Sequence, residues 1–242
     1  MVGHKFAIIL GGSSGVGLAL VPKLIDANIL VAVFGRSVKK IEKLNGFNNK
    51  LTELYECDAK DEASLKQTFD AIFCKHDRVD HLINTIGSSE SKSFLDNSTE
   101  GFSNDIDANL KAPYLSIYFS HKFMPQGGSI VNVSSIRART GTPSGVGYAA
   151  AKAGLINLTK SAAMQLASKK IRVNCIVPSA IYPTGMSSRW SEQKLQKIAS
   201  EVPFGRVSSP EEIAEIIYFF ISDASQLITG QVLDINGGEF IL

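Results

Sequence analysis

The strongest constraint on the fold is the alternation of short β-rich segments with longer helical patterns along the chain. The β-rich segments are apolar along most of their length, which is typical of strands buried on both faces of a sheet. Parallel strands need a helix to return the chain between them. We therefore predict one doubly wound α/β domain over residues 1–242, with helices on both faces of a mainly parallel, seven-stranded sheet. The proposed strands are 5–10, 29–34, 51–56, 79–84, 129–134, 171–176 and 231–236.

Helix start signals stand between these strands. Asp61 precedes one helical pattern, and Ser209 is followed by a proline and two glutamates, the pattern of a capping box. Ser37 is a further start signal, for a helix that Gly46 would end. Only residues 178–208 escape the alternation. We expect this insertion to cover a ligand, because ligands in such folds bind beyond the carboxyl ends of strands.

Charge and cysteine content exclude several function classes. The net charge is only +2, from 25 basic and 23 acidic side chains, which gives no reason to expect nucleic acid or a membrane surface as a partner. No segment approaches the ~20 apolar residues of a membrane span. Cys57, Cys74 and Cys175 lack the paired spacing of a zinc site or disulfide framework. We therefore expect no metal and a reducing, cytoplasmic location.

A glycine-rich turn follows the first strand. In "GGSSGVG", residues 11–17, Gly11, Gly15 and Gly17 allow a tight turn and the close approach of a pyrophosphate to a helix N-terminus. The spacing is GxxxGxG rather than GxGxxG, and a tight strand-to-helix turn alone would explain the glycines equally well. The motif indicates a dinucleotide site only with support from elsewhere.

The end of the second strand supplies that support. An NAD site of this kind places an acidic residue there, against the ribose 2′-hydroxyl. This chain has Arg36 instead, with Ser37, Lys39 and Lys40 nearby, and an arginine can bind a 2′-phosphate in a bidentate fork. We predict NADP(H), although an ordinary solvated helix start would also account for these residues.

Tyr148 and Lys152 enclose three alanines in "YAAAK". At i and i+4 on a helix they share one face and can point into one pocket. A nearby cation favours the phenolate, so we expect Lys152 to lower the pKa of Tyr148 from its ordinary value of about 10. The pair predicts an acid/base site. Taken by itself, it would also fit a surface helix.

These motifs occur in an order that resembles the short-chain dehydrogenase/reductase family. Asn109 stands in "DANLKAPY", Ser135 lies thirteen residues before Tyr148, and "VNCIVPS" and "LITGQVLDINGG" extend the resemblance over the whole chain. The resemblance implies a Rossmann fold and a catalytic tetrad of Asn109, Ser135, Tyr148 and Lys152. In that tetrad Tyr148 would exchange a proton with the substrate oxygen, and Ser135 would hydrogen-bond that oxygen. Lys152 would hold the nicotinamide ribose, and Asn109 would anchor a water relay.

The resemblance also implies the dinucleotide contacts. Asp58 and Ala59 match the pair that contacts adenine, Asn84 begins a strand-end motif, and Ile181 flanks the carboxamide. The full expected cofactor-binding set is Gly11, Ser13, Ser14, Gly15, Val16, Gly17, Arg36, Ser37, Asp58, Ala59, Asn84, Tyr148, Lys152, Ile181 and Thr184.

The chain departs from the family pattern around the glycine turn. Leu10 stands where the family usually has threonine, and "NTIG" at 84–87 replaces "NNAG". We expect the side-chain hydrogen bonds that brace these turns to be lost. In the insertion, Ser179 replaces a glycine and Thr184 falls one residue later than usual.

Within the family, the chain is most similar to β-ketoacyl acyl-carrier-protein reductases. The resemblance implies an NADPH-dependent reductase acting on a ketone, such as a β-ketoacyl thioester or a related small carbonyl, free or attached to an acyl carrier protein. Lys169 and Lys170 stand where such enzymes meet their carrier, whereas residues 123–129 lack the usual basic residues.

Other activities stay open. An alcohol, sugar or secondary-metabolite dehydrogenase could use the same scaffold, and so could a noncatalytic NADP(H) sensor. The short Tyr–Lys spacing disfavours an enoyl reductase. Because the family pairs two long helices, here about 100–121 and 147–168, the resemblance also implies a homodimer or homotetramer.

Overall fold

The computed structural model of the chain describes residues 4–36, 50–90 and 92–241. In this part of the chain seven strands form one sheet, in the order β3-β2-β1-β4-β5-β6-β7, and every neighbouring pair is parallel. This confirms the predicted doubly wound α/β fold, and each predicted strand overlaps an observed one. The strands are β1 (Phe6–Leu10), β2 (Leu30–Gly35), β3 (Thr52–Glu56), β4 (His81–Asn84), β5 (Ser129–Val133), β6 (Arg172–Pro178) and β7 (Val232–Ile235).

Helices connect the strands and cover both faces of the sheet. A π-helical turn, Asp107–Lys111, interrupts the helix expected over 100–121. Short 3₁₀ turns occupy Ile136–Ala138, Ala167–Lys169 and Asp223–Ser225. The α-helices of the described residues are α1 (Gly15–Asp26), α2 (Glu62–Lys75), α3 (Thr99–Ile106), α4 (Ala112–Ser120), α5 (Val146–Leu166), α6 (Glu192–Glu201) and α7 (Pro210–Ile221).

β1 shows why the strands are apolar throughout. Successive side chains of a strand point to opposite faces, so Ile8 and Leu10 pack on one side of the sheet, in a core shared with α2, α4 and α5. Ala7 and Ile9 pack on the other side, with residues of α1 and α7. Because both faces are buried, the strand has no position for a polar side chain.

Two of the predicted helix starts are observed. The Ser209 side chain accepts a hydrogen bond from the Glu212 N–H, and the Glu212 carboxylate accepts one from the Ser209 N–H, which completes the capping box. Asp61 accepts a hydrogen bond from the Ala63 N–H at the start of α2. The helix predicted after Ser37 lies outside the described residues.

The insertion leaves the sheet after β6 and is closed at its base. The Tyr182 N–H donates to the Ser208 carbonyl over 2.9 Å, and the Ser208 N–H donates to the Ala180 carbonyl over 3.1 Å. Between these two ends the insertion contains α6, in which no residue is fully buried. The two ends of the insertion are therefore held together by hydrogen bonds, and its helix lies outside the main core.

The sheet topology brings the loops of interest to one edge. All strands run in parallel, so the loops that follow them lie at the shared carboxyl edge. The strand order reverses between β1 and β4, which is the usual ligand-binding position in such sheets. Within the described residues, no helix has both the length and the apolar character that crossing a membrane requires.

Candidate active site

The glycine turn after β1 is closely packed against the end of β4. Gly11 has a φ of 94°, a conformation that favours glycine. A Cβ added to it would lie 2.8 Å from the Ile86 backbone nitrogen, and a Cβ added to Gly17 would lie 2.6 Å from the Gly11 carbonyl oxygen. The geometry of the turn therefore needs glycine at both positions.

The first turn of α1 begins within this loop. Ser14 is the N-cap residue and makes no side-chain hydrogen bond to the helix, which begins at Gly15. The first N–H groups of the helix are thus available to an anion. Val16 is buried and anchors the helix in the core, whereas Ser13 is half-buried and Ser14 is exposed.

Thr85 braces the turn, contrary to the expectation from the motif departures. Its hydroxyl donates to the Leu10 carbonyl over 3.1 Å, and its backbone N–H donates to the same carbonyl over 2.9 Å. The expected loss of bracing side-chain bonds is therefore wrong. A threonine one strand away supplies the hydroxyl that Leu10 cannot.

The expected adenosine end of the site lies at one corner of the carboxyl edge. Arg36 is exposed directly after β2, and Asp58 and Ala59 follow β3, the neighbouring strand. Asp58 shapes its own turn, because its carboxylate accepts a hydrogen bond from the Lys60 N–H over 3.1 Å. Ser37 lies outside the described residues.

Asn84 contributes to the core through its side chain. It is 1% exposed, donates to the Asn132 side-chain oxygen over 2.8 Å and accepts from the Ser116 hydroxyl over 2.9 Å. Its amide is thus committed to neighbouring strands and helices. A contact with a cofactor would have to come from its backbone.

The insertion packs against the glycine turn. A Cβ added to Gly15 would lie 3.1 Å from the Thr184 Cβ. The Thr184 hydroxyl lies 2.9 Å from the Ser187 hydroxyl, which donates to the Ile181 carbonyl over 2.7 Å. Thr184 and Ile181 therefore belong to one small hydrogen-bonded loop that packs against the glycine turn.

Lys152 is a buried cation at the ends of two central strands. Its Nζ donates to the Ile86 carbonyl over 2.9 Å and to the Val133 carbonyl over 2.8 Å. Only 2% of the residue is exposed. Burial disfavours the ammonium and lowers the pKa of Lys152 to about 8.

Tyr148 lies one turn before Lys152 on the same face of α5. The Lys152 Nζ is 5.7 Å from the centre of the Tyr148 ring. The sequence predicts a lowered pKa for this phenol, but the pKa of Tyr148 is raised, because burial disfavours the phenolate. Hydrogen bonding with the Ser135 hydroxyl and the charge of Arg137 lower the pKa and only partly offset this effect. The expectation is therefore wrong in direction, and the phenol is protonated at neutral pH.

Asn109 sits inside the π-helical turn. It is completely buried, and its side-chain nitrogen donates to the Ser88 carbonyl over 2.8 Å and to the Asp105 carbonyl over 2.7 Å. Its side-chain oxygen accepts from the Ser88 N–H over 3.3 Å. Asn109 thus fastens the loop after β4 to the helical segment beside Tyr148. Single-turn π-helical bulges of this kind are frequent at functional sites.

Three site features were missed at the sequence level. The carbonyls of Ile86 and Val133 carry no sequence signal, because any residue has one. Arg137 acts on Tyr148 through its charge, and only its place two residues after Ser135 could have drawn attention to it. Asp105 is a buried carboxylate beside the start of α5, in a helix segment whose pattern does not show which side faces inward.

The carboxyl edge of this sheet holds a pair of hydroxyls, a buried lysine and a glycine-lined helix start. This combination is typical of dinucleotide-dependent oxidoreductases with a Rossmann fold. A family model described as "Enoyl-(Acyl carrier protein) reductase" matches residues 11–239. The chain belongs to the short-chain dehydrogenase/reductase family. It is a reductase or dehydrogenase that acts on a CH–OH or C=O group.

Particular relatives align with almost the whole length of the chain. The chain is 33% identical to 3-oxoacyl-(acyl-carrier-protein) reductase FabG of Aquifex aeolicus, over 98% of this chain and 97% of that protein. It is 34% identical to a 3alpha-hydroxysteroid dehydrogenase of Mediterraneibacter gnavus, with the same coverage. The solved structure "ElxO with NADP Bound" superposes with a TM-score of 0.88 at 28% identity, covering 98% of this chain and 99% of that one.

Proposed function

We propose that the protein is an NADPH-dependent reductase that transfers hydride to a ketone, with Tyr148 as the proton donor. The observation that carries the proposal is the arrangement of Tyr148, Ser135 and Lys152. A protonated phenol lies beside a second hydroxyl, with a buried ammonium one helical turn away. General acids of this kind accelerate proton transfer by roughly 10²- to 10⁴-fold.

The residues of the carboxyl edge fit a dinucleotide. The glycine turn is too closely packed for a Cβ at Gly11 or Gly17, and the start of α1 offers free N–H groups to a pyrophosphate. Arg36 stands where a 2′-phosphate would lie. A guanidinium binds the 2′-phosphate of NADP(H) better than it binds the 2′-hydroxyl of NAD(H). The structural neighbour ElxO, solved with NADP bound, supports the same choice.

In the proposed reaction the chain supplies a proton and orientation, and NADPH supplies the hydride. The Ser135 and Tyr148 hydroxyls would both donate hydrogen bonds to the carbonyl oxygen, which polarises the C=O bond. The Tyr148 phenol would then give its proton to that oxygen as the alcohol forms. Lys152 would hold the ribose and stabilise the phenolate left behind, and Asn109 would anchor a water relay that returns the proton.

The substrate we favour is a β-ketoacyl thioester or a related small carbonyl. Six further relatives, from different bacteria, carry the same FabG name as the Aquifex protein, at 31–32% identity. Lys169 and Lys170, however, lie at the amino edge of the sheet, just before β6, and Tyr148 lies at the opposite edge. Carrier docking at these lysines could therefore not serve Tyr148 of the same chain.

A dehydrogenase of a cyclic alcohol is the second candidate. It is favoured by the hydroxysteroid dehydrogenase relative, which is as similar as the FabG proteins. The two candidate activities use the same acid/base residues and differ only in which substrate the insertion at 178–208 admits. Turnover of a β-ketoacyl thioester with NADPH, compared with oxidation of a steroid alcohol with NADP, distinguishes them.

Tyr148→Phe tests the acid/base role. Loss of the phenolic proton should reduce kcat for ketone reduction by about 10²- to 10⁴-fold, because the Ser135 hydroxyl is a much weaker acid than a phenol. NADPH binding, followed by fluorescence titration, should change by less than about twofold. Tyr114→Phe, which alters an exposed tyrosine, is the matched control. Full activity in Tyr148→Phe would contradict the proposal.

Arg36→Asp tests the cofactor choice. Removing a bidentate contact to the 2′-phosphate should weaken NADPH binding by about 10- to 100-fold and improve the use of NADH. Lys122→Asp, which makes the same charge change away from the carboxyl edge, should leave both unchanged. A wild-type preference for NADH, or an unchanged preference in Arg36→Asp, would rule out the NADP(H) assignment.

A further inference from the structure

The helix that carries Tyr148 begins without a cap of its own. Gly145 is the N-cap residue of α5, with a φ of 69°, and has no side chain to accept a hydrogen bond. The first N–H groups of any α-helix need partners outside the helix. At this helix a side-chain partner has to come from another segment of the chain.

Asp105 of α3 supplies that partner. One carboxylate oxygen accepts from the Tyr148 backbone N–H over 3.1 Å, and the other accepts from the Glu90 N–H over 3.2 Å. Asp105 is 1% exposed. The carboxylate therefore joins the start of the catalytic helix to the loop that follows β4.

Gly147 makes this contact possible. A Cβ on Gly147 would lie 2.9 Å from the Asp105 Cβ and 3.0 Å from one carboxylate oxygen. Any larger residue would push the carboxylate away from the Tyr148 N–H. The glycine before the tyrosine and the buried aspartate are thus two halves of one contact.

The backbone of Asp105 is fixed as well. Its carbonyl accepts from the Asn109 side chain over 2.7 Å, and Asn109 also binds the Ser88 carbonyl. Asp105 is held from its own helix on one side and holds α5 on the other. A shift of its carboxylate would be transmitted directly to the Tyr148 backbone.

We propose that Asp105 is a positioning residue for the proposed reaction, whose carboxylate caps the catalytic helix and sets the place of Tyr148. This inference rests on the proposed function, because it concerns the same tyrosine. It adds a group that does not touch substrate or cofactor and acts only through Tyr148.

The charge of Asp105 also affects the phenol. Among the described residues, the charged groups that face Tyr148 are Asp105 from α3, Arg137 from the loop after β5 and Lys152 from α5. Arg137 lowers the pKa of Tyr148, and Asp105 raises it. The pKa of the Asp105 carboxyl is raised, chiefly because burial disfavours the carboxylate; the N–H groups of Glu90 and Tyr148 lower this pKa, and the charge of Glu90 raises it. The charge of Asp105 therefore adds to the effect of burial and favours the protonated phenol.

Asp105→Asn tests both effects, with Glu100→Gln as the control. Glu100 is an exposed carboxylate on the same helix. Amide hydrogen exchange over residues 144–152 should be faster in Asp105→Asn, because the cap is weakened. For ketone reduction, kcat should fall by about 10- to 100-fold, as a displaced acid requires, with KM within about twofold. For alcohol oxidation, the acid limb of the pH profile should move to lower pH, because the phenolate is no longer opposed by a negative charge.

The outcomes separate this inference from the proposed function. Unchanged exchange and an unchanged pH profile in Asp105→Asn would overturn it, even if kcat fell through general destabilisation. If Asp105→Asn does not fold, Gly147→Ala should reproduce the faster exchange and the lower kcat by displacing the carboxylate, and wild-type behaviour in that variant would overturn the inference. If the wild-type protein reduces no ketone, the proposed function fails, but the exchange measurement still decides whether Asp105 caps the helix.

Discussion

The proposed role of Lys152 needs its ammonium form, which burial disfavours. Its ammonium is satisfied by two backbone carbonyls, with no carboxylate among its described hydrogen-bond partners. The spacing of Tyr148 and Lys152 predicts their shared face correctly. It does not predict the direction in which the pKa of Tyr148 shifts, because that depends on how far tertiary packing shields the phenol from water.

The buried lysine should make stability depend on pH. The pKa of Lys152 falls from 10.5 to about 8 on folding. Below pH 8 the charged lysine therefore destabilises the folded protein. This cost disappears as pH rises from about 8 to 10.5. The free energy of unfolding of the wild type, relative to Lys152→Met, should therefore increase by about 3 kcal/mol over that range.

Urea unfolding at a series of pH values measures this difference. Lys160→Met, which removes an exposed lysine from the same helix, should show no such pH-dependent difference. A flat difference between the wild type and Lys152→Met across pH 8 to 10.5 would show that the ammonium is not penalised by burial.

Helices and strands are joined through the core by a chain of polar side chains. The Ser116 hydroxyl of α4 donates to Asn84 of β4, and the Asn84 side chain donates to Asn132 of β5. Asn132 in turn donates to the Thr159 hydroxyl of α5 over 2.9 Å. All four side chains are buried, so each needs its partner. This series of hydrogen bonds fixes β4 and β5, and the two carbonyls that hold Lys152 lie at the ends of these strands.

Thr159→Val should break this chain at one end. The substitution keeps the shape but leaves the Asn132 side-chain nitrogen without its acceptor, which costs about 1–3 kcal/mol. Urea unfolding should show a loss of that size, whereas Thr99→Val, at an exposed helix position, should show less than about 0.5 kcal/mol. A Thr159→Val protein as stable as the wild type would mean that Asn132 finds another partner.

Some helix boundaries follow from local patterns, and others do not. Capping residues such as Asp61 and Ser209 mark helix starts because a side chain has to accept the free N–H groups. The π-helical turn Asp107–Lys111 has no such signal. There, Asn109 bonds to the distant Ser88 as well as to Asp105 in the preceding turn.

At the scale of the whole molecule, large apolar side chains remain exposed on the outer helices. Tyr114 and Tyr118 of α4 are 50% and 54% exposed, and Met164 of α5 is 82% exposed. Surfaces of this kind often mark an interface. The family resemblance implies pairing through these two helices.

Light scattering should give the mass of a homodimer or homotetramer. The double variant Tyr118→Lys with Met164→Lys should shift the mass toward the monomer, because lysines on this face oppose its burial in an interface. Phe94→Lys, at an exposed position outside both helices, is the control. A wild-type monomer at all concentrations tested would contradict the pairing.

The sequence by itself determined the α/β class, the places of the seven strands, the glycine turn and the shared helical face of Tyr148 and Lys152. These features depend on periodicity and on spacing over a few residues, which the chain carries locally. Only the tertiary structure decided that Thr85 braces the glycine turn, that burial raises the pKa of Tyr148 and that Asp105 caps the helix of Tyr148. Those properties arise where segments distant in sequence meet and exclude water, and no local pattern specifies which segments will do so.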